Sequence, residues 1–503
     1  MLWLSSISEW VKHKQVILLL MLIIVTGAFL RLYNLGSESI WLDEAASINL
    51  SSQSVASIVE ESPNQNHPPL YFIILHFWIK AFGTSEVATR SLSAVLGILS
   101  ILLIYQVGSL LFTKRVGLIS GFLSAISYYH IYYSQEVRTL SPLLFLSLLS
   151  YLLFIKILKG DRKWYYPCYF LANLLLGYTH IFGLFIIASQ IIYFLLFWSN
   201  YKQQRAKLLS TVVVTIVTLF PLVPLIYGRA AALAEHGFWI PAPGLGSIFN
   251  TLVRYAGAGP GREFILLTFF LLIVVGFFSI EVVGGRWNQA KPLASLKSVR
   301  YSIKFVSIEQ DFLLITWLSL PILIPFVESY FMTPIYAIKY LICASPAFYL
   351  LVARGMGNLH WKYIFYPILI FIVFLSFFGL QQYYSNPGKA QWREAAVFIE
   401  MNSNADSDVA VFCASFFQNP FNYYYEGELE RLGISNRVSD IQKLGAFVDS
   451  AVDGKDRLWL ILDSGSQTAP IRGYLVDRYG SKSIILEKEF HRISIILIDL
   501  STL

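Results

Sequence analysis

Long apolar runs separated by short charged connections are the feature that most limits how this chain can fold. Runs of 16–22 residues recur through residues 15–383, and each is about as long as the helix that crosses a 30 Å hydrocarbon core. They lie near residues 15–30, 91–112, 116–133, 139–158, 164–179, 181–199, 208–228, 263–283, 312–331, 335–353 and 363–383. The chain is 56% hydrophobic and only 14% charged, which excludes soluble globular and disordered classes. The sequence therefore predicts an α-helical polytopic membrane protein with about eleven transmembrane helices.

Lysine and arginine concentrate in alternate connections, and their placement predicts the orientation of the chain. With a cytoplasmic N-terminus, every cytoplasmic connection is basic, as the positive-inside rule requires: 113–115, 156–163, 202–207, 284–310 and 354–362. No small-residue cleavage site follows the first run, so we expect it to stay as a span. The net charge of +7 reflects these loops and does not indicate nucleic-acid binding. We expect a multi-pass protein of the cell (inner) membrane.

Two regions lie outside this pattern of spans. Residues 69–82 are apolar but too few for a crossing, and counting them as one would invert every later loop, so we expect an interfacial or re-entrant helix. An odd number of spans then puts residues 384–503 outside the cytoplasm. That segment combines amphipathic helix patterns at 392–402 and 471–480 with strand patterns, which are found at 408–414, 457–464 and 483–490. We predict a transmembrane catalytic domain over 1–383 and a small extracytoplasmic α/β domain over 384–503.

The three cysteines offer no disulfide framework. Cys168 and Cys343 fall inside apolar runs and Cys413 in a strand pattern, without a CxxC spacing that would indicate a metal site.

Two neighbouring acids in the first extracytoplasmic loop, residues 36–89, are the strongest candidates for catalysis. Between Leu32 and Ile79 the chain has five acids and no lysine or arginine. Asp43 and Glu44 come just after Trp41, an aromatic residue typical of a membrane interface. A partly desolvated carboxylate is suited to act as a general base. The remaining acids of the loop are equally well explained as ordinary outside residues: Glu38, Glu60 and Glu61.

Further polar residues are predicted to reach the same outer face. His67 precedes a Pro68–Pro69 pair that disfavours ordinary helix entry and fixes its position. The others lie at the outer ends of apolar runs: Arg90, Gln135, Glu136, Arg138, His180, Lys339 and Tyr340. A charge at bilayer depth costs about 2.5–3.5 kcal/mol, so such residues usually face a cavity or a partner. Snorkelling of the long cations and an interhelical hydrogen bond of the histidine are the simpler alternatives.

Several short strings carry a resemblance to a known family. They are Arg31-Leu32-Tyr33, Trp41-Leu42-Asp43-Glu44-Ala45, His67-Pro68-Pro69-Leu70-Tyr71, Arg90-Ser91-Leu92-Ser93, Ser134-Gln135-Glu136-Val137-Arg138 and Tyr178-Thr179-His180. Together they resemble the bacterial members of glycosyltransferase family 39, the protein mannosyltransferases and the four-amino-arabinose transferases, which have the GT-C fold. The resemblance is specific over residues 16–200 and weaker beyond. Lys339 and Glu136 stand where the family more often has Arg and Asp.

The resemblance implies a transferase that moves one sugar from a polyprenyl-phosphate donor to an extracytoplasmic glycolipid, polysaccharide or protein, with inversion. In that mechanism Asp43 is the catalytic base, Glu44 orients Asp43 or the acceptor, and Glu136 completes the acid cluster. The implied phosphate- and substrate-binding residues are His67, Arg90, Gln135, Arg138, His180, Lys339 and Tyr340.

No cofactor is required by these motifs. His67 with Asp43 and Glu136 forms a donor set that would suit Mn²⁺, Mg²⁺ or Zn²⁺, but no fixed ligand spacing supports it. Two other functions remain open: a transporter or flippase of lipid-linked sugars, and a non-catalytic membrane subunit. Transport predicts an internal repeat and midplane polar groups, and neither is visible in the sequence.

Overall fold

The structure is a computed structural model that describes residues 2–62, 67–224, 240–284, 300–305, 308–359, 361–386, 388–434, 441–463 and 468–501. The helices are α1 (Leu2–Leu32), α2 (Leu42–Ser51), α3 (Val55–Glu61), α4 (Leu70–Phe82), α5 (Glu86–Leu111), α6 (Lys114–Ile126), α7 (Tyr128–Ser134), α8 (Leu140–Lys159), α9 (Tyr165–Thr179), α10 (Gly183–Leu196), α11 (Arg205–Leu219), α12 (Leu245–Ala256), α13 (Arg262–Phe277), α14 (Ile308–Glu328), α15 (Ser345–Asn358), α16 (Lys362–Ser385), α17 (Trp392–Asn402), α18 (Gln418–Asn422), α19 (Ile441–Ala451) and α20 (Thr468–Tyr479). The strands are β1 (Phe278–Gly284), β2 (Arg300–Phe305), β3 (Asp408–Phe412), β4 (Glu430–Gly433), β5 (Arg457–Asp463), β6 (Ile484–Phe490) and β7 (Ile493–Asp499).

The chain divides into two compact units, each built from separated segments. The first unit comprises Met1–Tyr33, Val55–Ile74 and Arg90–Gln382, and the second comprises Asn34–Ser54, Leu75–Thr89 and Tyr383–Leu503. The second unit thus holds two parts of the first loop together with the C-terminal region. A domain boundary at residue 383 stays a prediction.

Five described helices are long and apolar enough to cross a membrane. These are His13–Leu32 of α1, together with α5, α8, α14 and α16. The chain is therefore a mostly helical, multi-pass membrane protein, as the sequence predicts, whereas a total of eleven spans stays a prediction. Helix α4 has 13 residues, so its length agrees with the prediction of a segment too short to span.

Several predicted spans are interrupted, including the runs 116–133, 263–283 and 335–353. The run 116–133 breaks at Ser127, which lies between α6 and α7. Its hydroxyl caps α7 by accepting from the backbone N–H of His130 at 3.2 Å. The run 263–283 is helical only to Phe277, after which β1 pairs antiparallel with β2. The run 335–353 begins with the 3-10 segment Ile338–Cys343, and α15 follows it.

Close helix packing forms the core of the first unit. Tyr151 of α8 stacks on Trp317 of α14 with ring centroids 3.6 Å apart. At Gly355 of α15, an added Cβ would collide with the carbonyl oxygen of Leu272 in α13. A small residue is therefore required where these two helices meet.

Arg31 is buried inside the first unit, although the sequence indicates a residue at the edge of a span. It is fully buried, and its guanidinium donates to the carbonyl oxygens of Ser124 at 2.9 Å and Ala125 at 3.0 Å. These carbonyls belong to the last turn of α6, where the helix leaves them without intrahelical partners. Arg31 therefore supplies hydrogen-bond donors to the carbonyl oxygens at the end of α6, where the helix breaks at Ser127.

The second unit contains a five-stranded sheet in the order β4-β3-β5-β7-β6. Strand β3 pairs parallel with β4 and β5, while β7 is antiparallel to β5 and β6. Every residue of β3 is buried, because α17 side chains cover one face of the sheet and α19 and α20 side chains cover the other. The predicted α/β character of the C-terminal region is confirmed, including β3, β5, β6, α17 and α20. The sequence patterns do not predict strands β4 and β7.

Candidate functional site

Two buried histidines from distant parts of the sequence meet in the first unit. His67 lies just before α4, and His180 caps the C-terminus of α9. Their exposed fractions are 3% and 1%, and their ring centroids are 4.9 Å apart. The Pro68–Pro69 pair keeps His67 out of the helix, while the turn after α9 directs His180 inward.

The hydrogen bonds of these rings define which nitrogen carries the proton. Nη2 of Arg138 donates to Nε2 of His67 at 3.1 Å, because a guanidinium has no acceptor. The backbone N–H of Phe182 donates to Nδ1 of His180 at 3.1 Å. Neutral rings therefore carry their protons on Nδ1 of His67 and Nε2 of His180. Both atoms are buried without a hydrogen-bond partner among the described residues.

The surroundings keep both rings neutral. Burial, with the charges of Arg138 and Lys339 nearby, lowers the pKa of His180 to about 3. Burial and the same cations, together with His180, hold the pKa of His67 well below its usual range. Two uncharged N–H donors beside two cations form a site that attracts an anion.

Tyr340 and Lys339 complete this group. The ring of Tyr340 lies 4.8 Å from His180 and 6.1 Å from His67, centroid to centroid. Lys339 is half-buried, and its Nζ lies 5.4 Å from the centre of the Tyr340 ring. We call His67, Arg138, His180, Lys339 and Tyr340 the histidine cluster.

Three aromatic side chains hold the 3-10 segment that carries Lys339 and Tyr340. The hydroxyl of Tyr129 donates to the carbonyl of Ile338 at 2.5 Å, and the hydroxyl of Tyr255 donates to the carbonyl of Leu341 at 2.6 Å. The indole N–H of Trp317 donates to the carbonyl of Cys343 at 2.9 Å. Long-range bonds therefore stabilise a conformation that local propensity does not favour over an α-helix.

The side-chain amide of Gln135 contacts the end of α1. Its Nε2 donates to the carbonyl oxygens of Arg31 at 3.0 Å and Tyr33 at 2.9 Å, so it caps the C-terminal end of α1. Glu136 is buried in the same turn, and Arg90 is buried near the start of α5. Contact of these three residues with a substrate stays a prediction.

The two candidate catalytic acids of the first loop, Asp43 and Glu44, lie in the second unit. Asp43 and Glu44 occupy the first turn of α2, where the helix dipole favours negative charge. Oε2 of Glu44 accepts from the backbone N–H of Trp41 at 3.4 Å. Glu44 is fully buried, whereas Asp43 is half-buried. A buried carboxylate requires a countercharge, and Lys389 supplies it at 3.1 Å.

No metal-binding group stands out. Over the described residues, neither unit brings together three or more His, Cys, Asp or Glu side chains able to hold a metal ion. The donor set of Asp43, His67 and Glu136 is divided between the two units, so no chemistry of a metal is derived below.

Sequence patterns did not indicate two residues that support these sites. Lys389 is a lone cation between α16 and α17. Arg31 ends the first apolar run and begins the Arg31-Leu32-Tyr33 string, but neither pattern indicates that it is buried. A lysine or arginine of this kind is usually solvated, and only its burial shows otherwise.

A family comparison agrees with these motifs. Residues 66–227 match the family model described as dolichyl-phosphate-mannose-protein mannosyltransferase. The predicted resemblance to this family is confirmed. The matched stretch includes His67, Arg138 and His180 and ends before Lys339. No curated protein matches the chain.

Solved structures give the same answer for the fold. ArnT from Cupriavidus metallidurans in the apo state aligns with a TM-score of 0.57 at 12% identity, over 99% of this chain and 99% of that chain. The same protein bound to undecaprenyl phosphate aligns at 0.57 and 11% identity, over 95% and 97%. The oligosaccharyltransferase of Archaeoglobus fulgidus with Zn and sulfate aligns at 0.52 and 12% identity, over 91% and 69%. At such identities the likeness concerns the fold, and the chain has the architecture of these GT-C membrane proteins.

Proposed function

We propose that this chain is an integral-membrane glycosyltransferase that moves a single sugar from a polyprenyl-phosphate donor to an extracytoplasmic acceptor, with inversion. The observation that carries the proposal is the pair of buried, unbonded N–H groups of His67 and His180 beside Arg138 and Lys339. An orphaned buried donor costs stability, so two of them beside two cations indicate a ligand with several acceptor oxygens. A phosphate group fits that requirement.

Two comparisons support a polyprenyl carrier for the phosphate. The ArnT structure bound to undecaprenyl phosphate shares this fold, and the family model that matches residues 66–227 is named for a lipid-phosphate sugar donor. In our proposal the chain has eleven spans, a cytoplasmic N-terminus and an extracytoplasmic C-terminal region in the inner membrane. We also propose that α4 lies in the membrane interface, where an isoprenoid tail can enter the site from the side.

In the proposed reaction Asp43 takes the proton of an acceptor hydroxyl as the oxygen attacks the anomeric carbon. The bond from that carbon to the phosphate oxygen breaks, and the phosphate leaves with the electron pair. Arg138 and Lys339 then balance the added negative charge, and the two histidine N–H groups donate to the phosphate oxygens. Glu44 orients Asp43, while Glu136, Arg90 and Tyr340 contact sugar or phosphate. General-base help of this kind contributes about 10²–10⁴ in rate.

The direct test is transfer of a labelled sugar by the purified protein in lipid nanodiscs. Undecaprenyl phosphate carrying radiolabelled mannose, glucose or four-amino-arabinose is supplied with a crude envelope acceptor. We expect label on the acceptor and free undecaprenyl phosphate with one donor. The Asp43→Asn variant should lose at least about 100-fold in kcat and still bind undecaprenyl phosphate.

Glu60→Gln is the matched control, because Glu60 is an exposed acid of the same loop. It should transfer at the wild-type rate. Full activity in Asp43→Asn would show that Asp43 is not the catalytic base. Movement of labelled lipid across liposomes without any transfer would favour a flippase, and neither activity would favour a non-catalytic subunit.

A further inference from the structure

The ion pair of Glu44 and Lys389 joins parts of the second unit that are far apart in sequence. Nζ of Lys389 lies 3.1 Å from Oε2 of Glu44, across 345 positions. The two side chains are 4% and 0% exposed. Lys389 belongs to the connection between α16 and α17, and Glu44 belongs to the first turn of α2, directly after Asp43. This buried contact therefore links the connection to the proposed catalytic turn.

The ion pair shares one carboxylate oxygen with the backbone at the start of α2. The Oε2 atom that receives the Lys389 ammonium also accepts the backbone N–H of Trp41, which begins the helix. Without the ammonium, a fully buried carboxylate would either take up a proton or move toward water. Either change alters the first turn, where Asp43 is the neighbouring residue.

Neighbouring bonds hold the same stretch of loop. The backbone N–H of Gly388 donates to Oε1 of Glu38, and the hydroxyl of Ser39 donates to Oε2 of Glu394 at 3.1 Å. Arg393 donates to the carbonyl oxygen of Gly36 at 3.0 Å. Residues 388–394 thus hold residues 36–39 by main-chain and side-chain bonds, and Lys389 extends this support to the helix that carries Asp43.

Stability alone is a poor reason for a lysine at this place. A buried ion pair is expensive to desolvate, and replacement by apolar residues of similar size is often neutral or stabilising. A precise orientation of a reacting group, in contrast, is worth a great deal, since a misplacement of about 1 Å can reduce a rate by about 100-fold.

We infer that Lys389 is a positioning residue for the transfer reaction. Its ammonium fixes the Glu44 carboxylate, and Glu44 in turn fixes the first turn of α2, so that the Asp43 carboxylate is held toward the acceptor hydroxyl. This inference rests on the proposed function. It assigns no contact between Lys389 and the substrates.

The test compares kcat, donor KM and thermal stability in four variants. Lys389→Met removes the ammonium, and Lys389→Arg keeps a cation. The double variant Glu44→Gln with Lys389→Met removes both charges, so no buried charge is left without its partner. Arg457→Met is the matched control, because Arg457 forms an ion pair with the buried Asp408 in the same unit at 2.8 Å and has no proposed role in the reaction.

In Lys389→Met we expect kcat to fall by about 10–100-fold, with donor KM and undecaprenyl phosphate affinity unchanged. Lys389→Arg should recover most of the lost kcat. The double variant should recover the melting temperature but not kcat, which separates orientation from stability. Arg457→Met should lower the melting temperature and keep the wild-type kcat.

Two results would overturn the inference while leaving the proposed function intact. One is a wild-type kcat in Lys389→Met, and the other is a kcat that recovers together with the melting temperature in the double variant. Absence of transfer by the wild-type protein with every donor would instead overturn the proposed function, and the role of Lys389 with it.

Discussion

Nη2 of Arg138 donates a 3.1 Å hydrogen bond to Nε2 of His67, and this bond leaves the other ring nitrogen as an N–H donor with no partner among the described residues. The guanidinium thus fixes both the tautomer and the direction in which the ring can donate. A histidine prepared in this way binds an acceptor oxygen without first gaining a proton. The role of the histidine cluster in phosphate binding can therefore be tested separately from catalysis.

Replacing His180 with Phe keeps a flat ring and removes the buried N–H donor. We expect undecaprenyl phosphate to bind about 10–100-fold more weakly, because one hydrogen bond to a charged group is worth about 1.5–3 kcal/mol. Isothermal titration in nanodiscs measures the affinity. His130→Phe is the control, since both nitrogens of this buried histidine already contact serine hydroxyls, Ser124 and Ser345. Equal affinity in His180→Phe and wild type would contradict the proposed contact.

Stability should depend on pH through the same histidines. In the folded protein the pKa of His180 is about 3, against an ordinary value of 6.5, and that of His67 is also lowered. The unfolded chain then binds more protons below pH 6.5, so the free energy of unfolding falls as the pH decreases toward 3, by at most about 1.4 kcal/mol per pH unit for each histidine. Above pH 6.5 both rings are neutral in the folded and the unfolded chain, so this destabilisation is absent.

Melting temperatures measured in detergent at pH 7.5, 6 and 5 provide the check. The decrease should be smaller in His180→Gln than in the wild-type protein, because glutamine does not titrate. An identical pH dependence in the two proteins would show that His180 is not the group responsible.

Gln135 should affect folding more than substrate binding. Gln135→Leu removes two hydrogen bonds to the end of α1, from an amide that donates to the carbonyls of Arg31 and Tyr33. We expect a loss of about 1–3 kcal/mol in the free energy of unfolding, because buried carbonyls lose their donors. Donor KM should stay at the wild-type value. A raised donor KM with unchanged stability would instead indicate that Gln135 contacts the substrate.

Arg31 should be needed for a stable first unit. Arg31→Met leaves the carbonyls of Ser124 and Ala125 without their donors, and we expect a loss of more than about 2 kcal/mol with partial recovery in Arg31→Lys. Arg115→Met is the control, because Arg115 is exposed and donates a single bond to the carbonyl of Leu359. Expression in the membrane and melting temperature are the measurements. Similar effects at both positions would argue against the role of Arg31 at the α6 end.

The sequence predicted those elements whose pattern is local. Apolar length identifies α5, α8 and α16, and short apolar runs identify β5 and β6. The paired prolines likewise indicate that His67 lies outside a helix. The structure brings His67, His180 and Arg138 together, but whether they bind phosphate is still a prediction.

The features that could not be predicted depend on contacts between distant residues. The run 116–133 contains three serines, Ser120, Ser124 and Ser127, and no local pattern shows that the helix breaks at Ser127 rather than at either of the others. The 3-10 conformation around Lys339 is maintained by side chains of Tyr129, Tyr255 and Trp317. Neither feature produces a period or a spacing that could be recognised in the sequence.

The separation of Glu44 and Lys389 has a consequence for biosynthesis. A ribosome completes α2 long before it reaches the lysine 345 positions later, so the growing chain carries a carboxylate whose countercharge has not yet been made. The first turn of α2 can adopt its final arrangement only once nearly four fifths of the polypeptide has been translated.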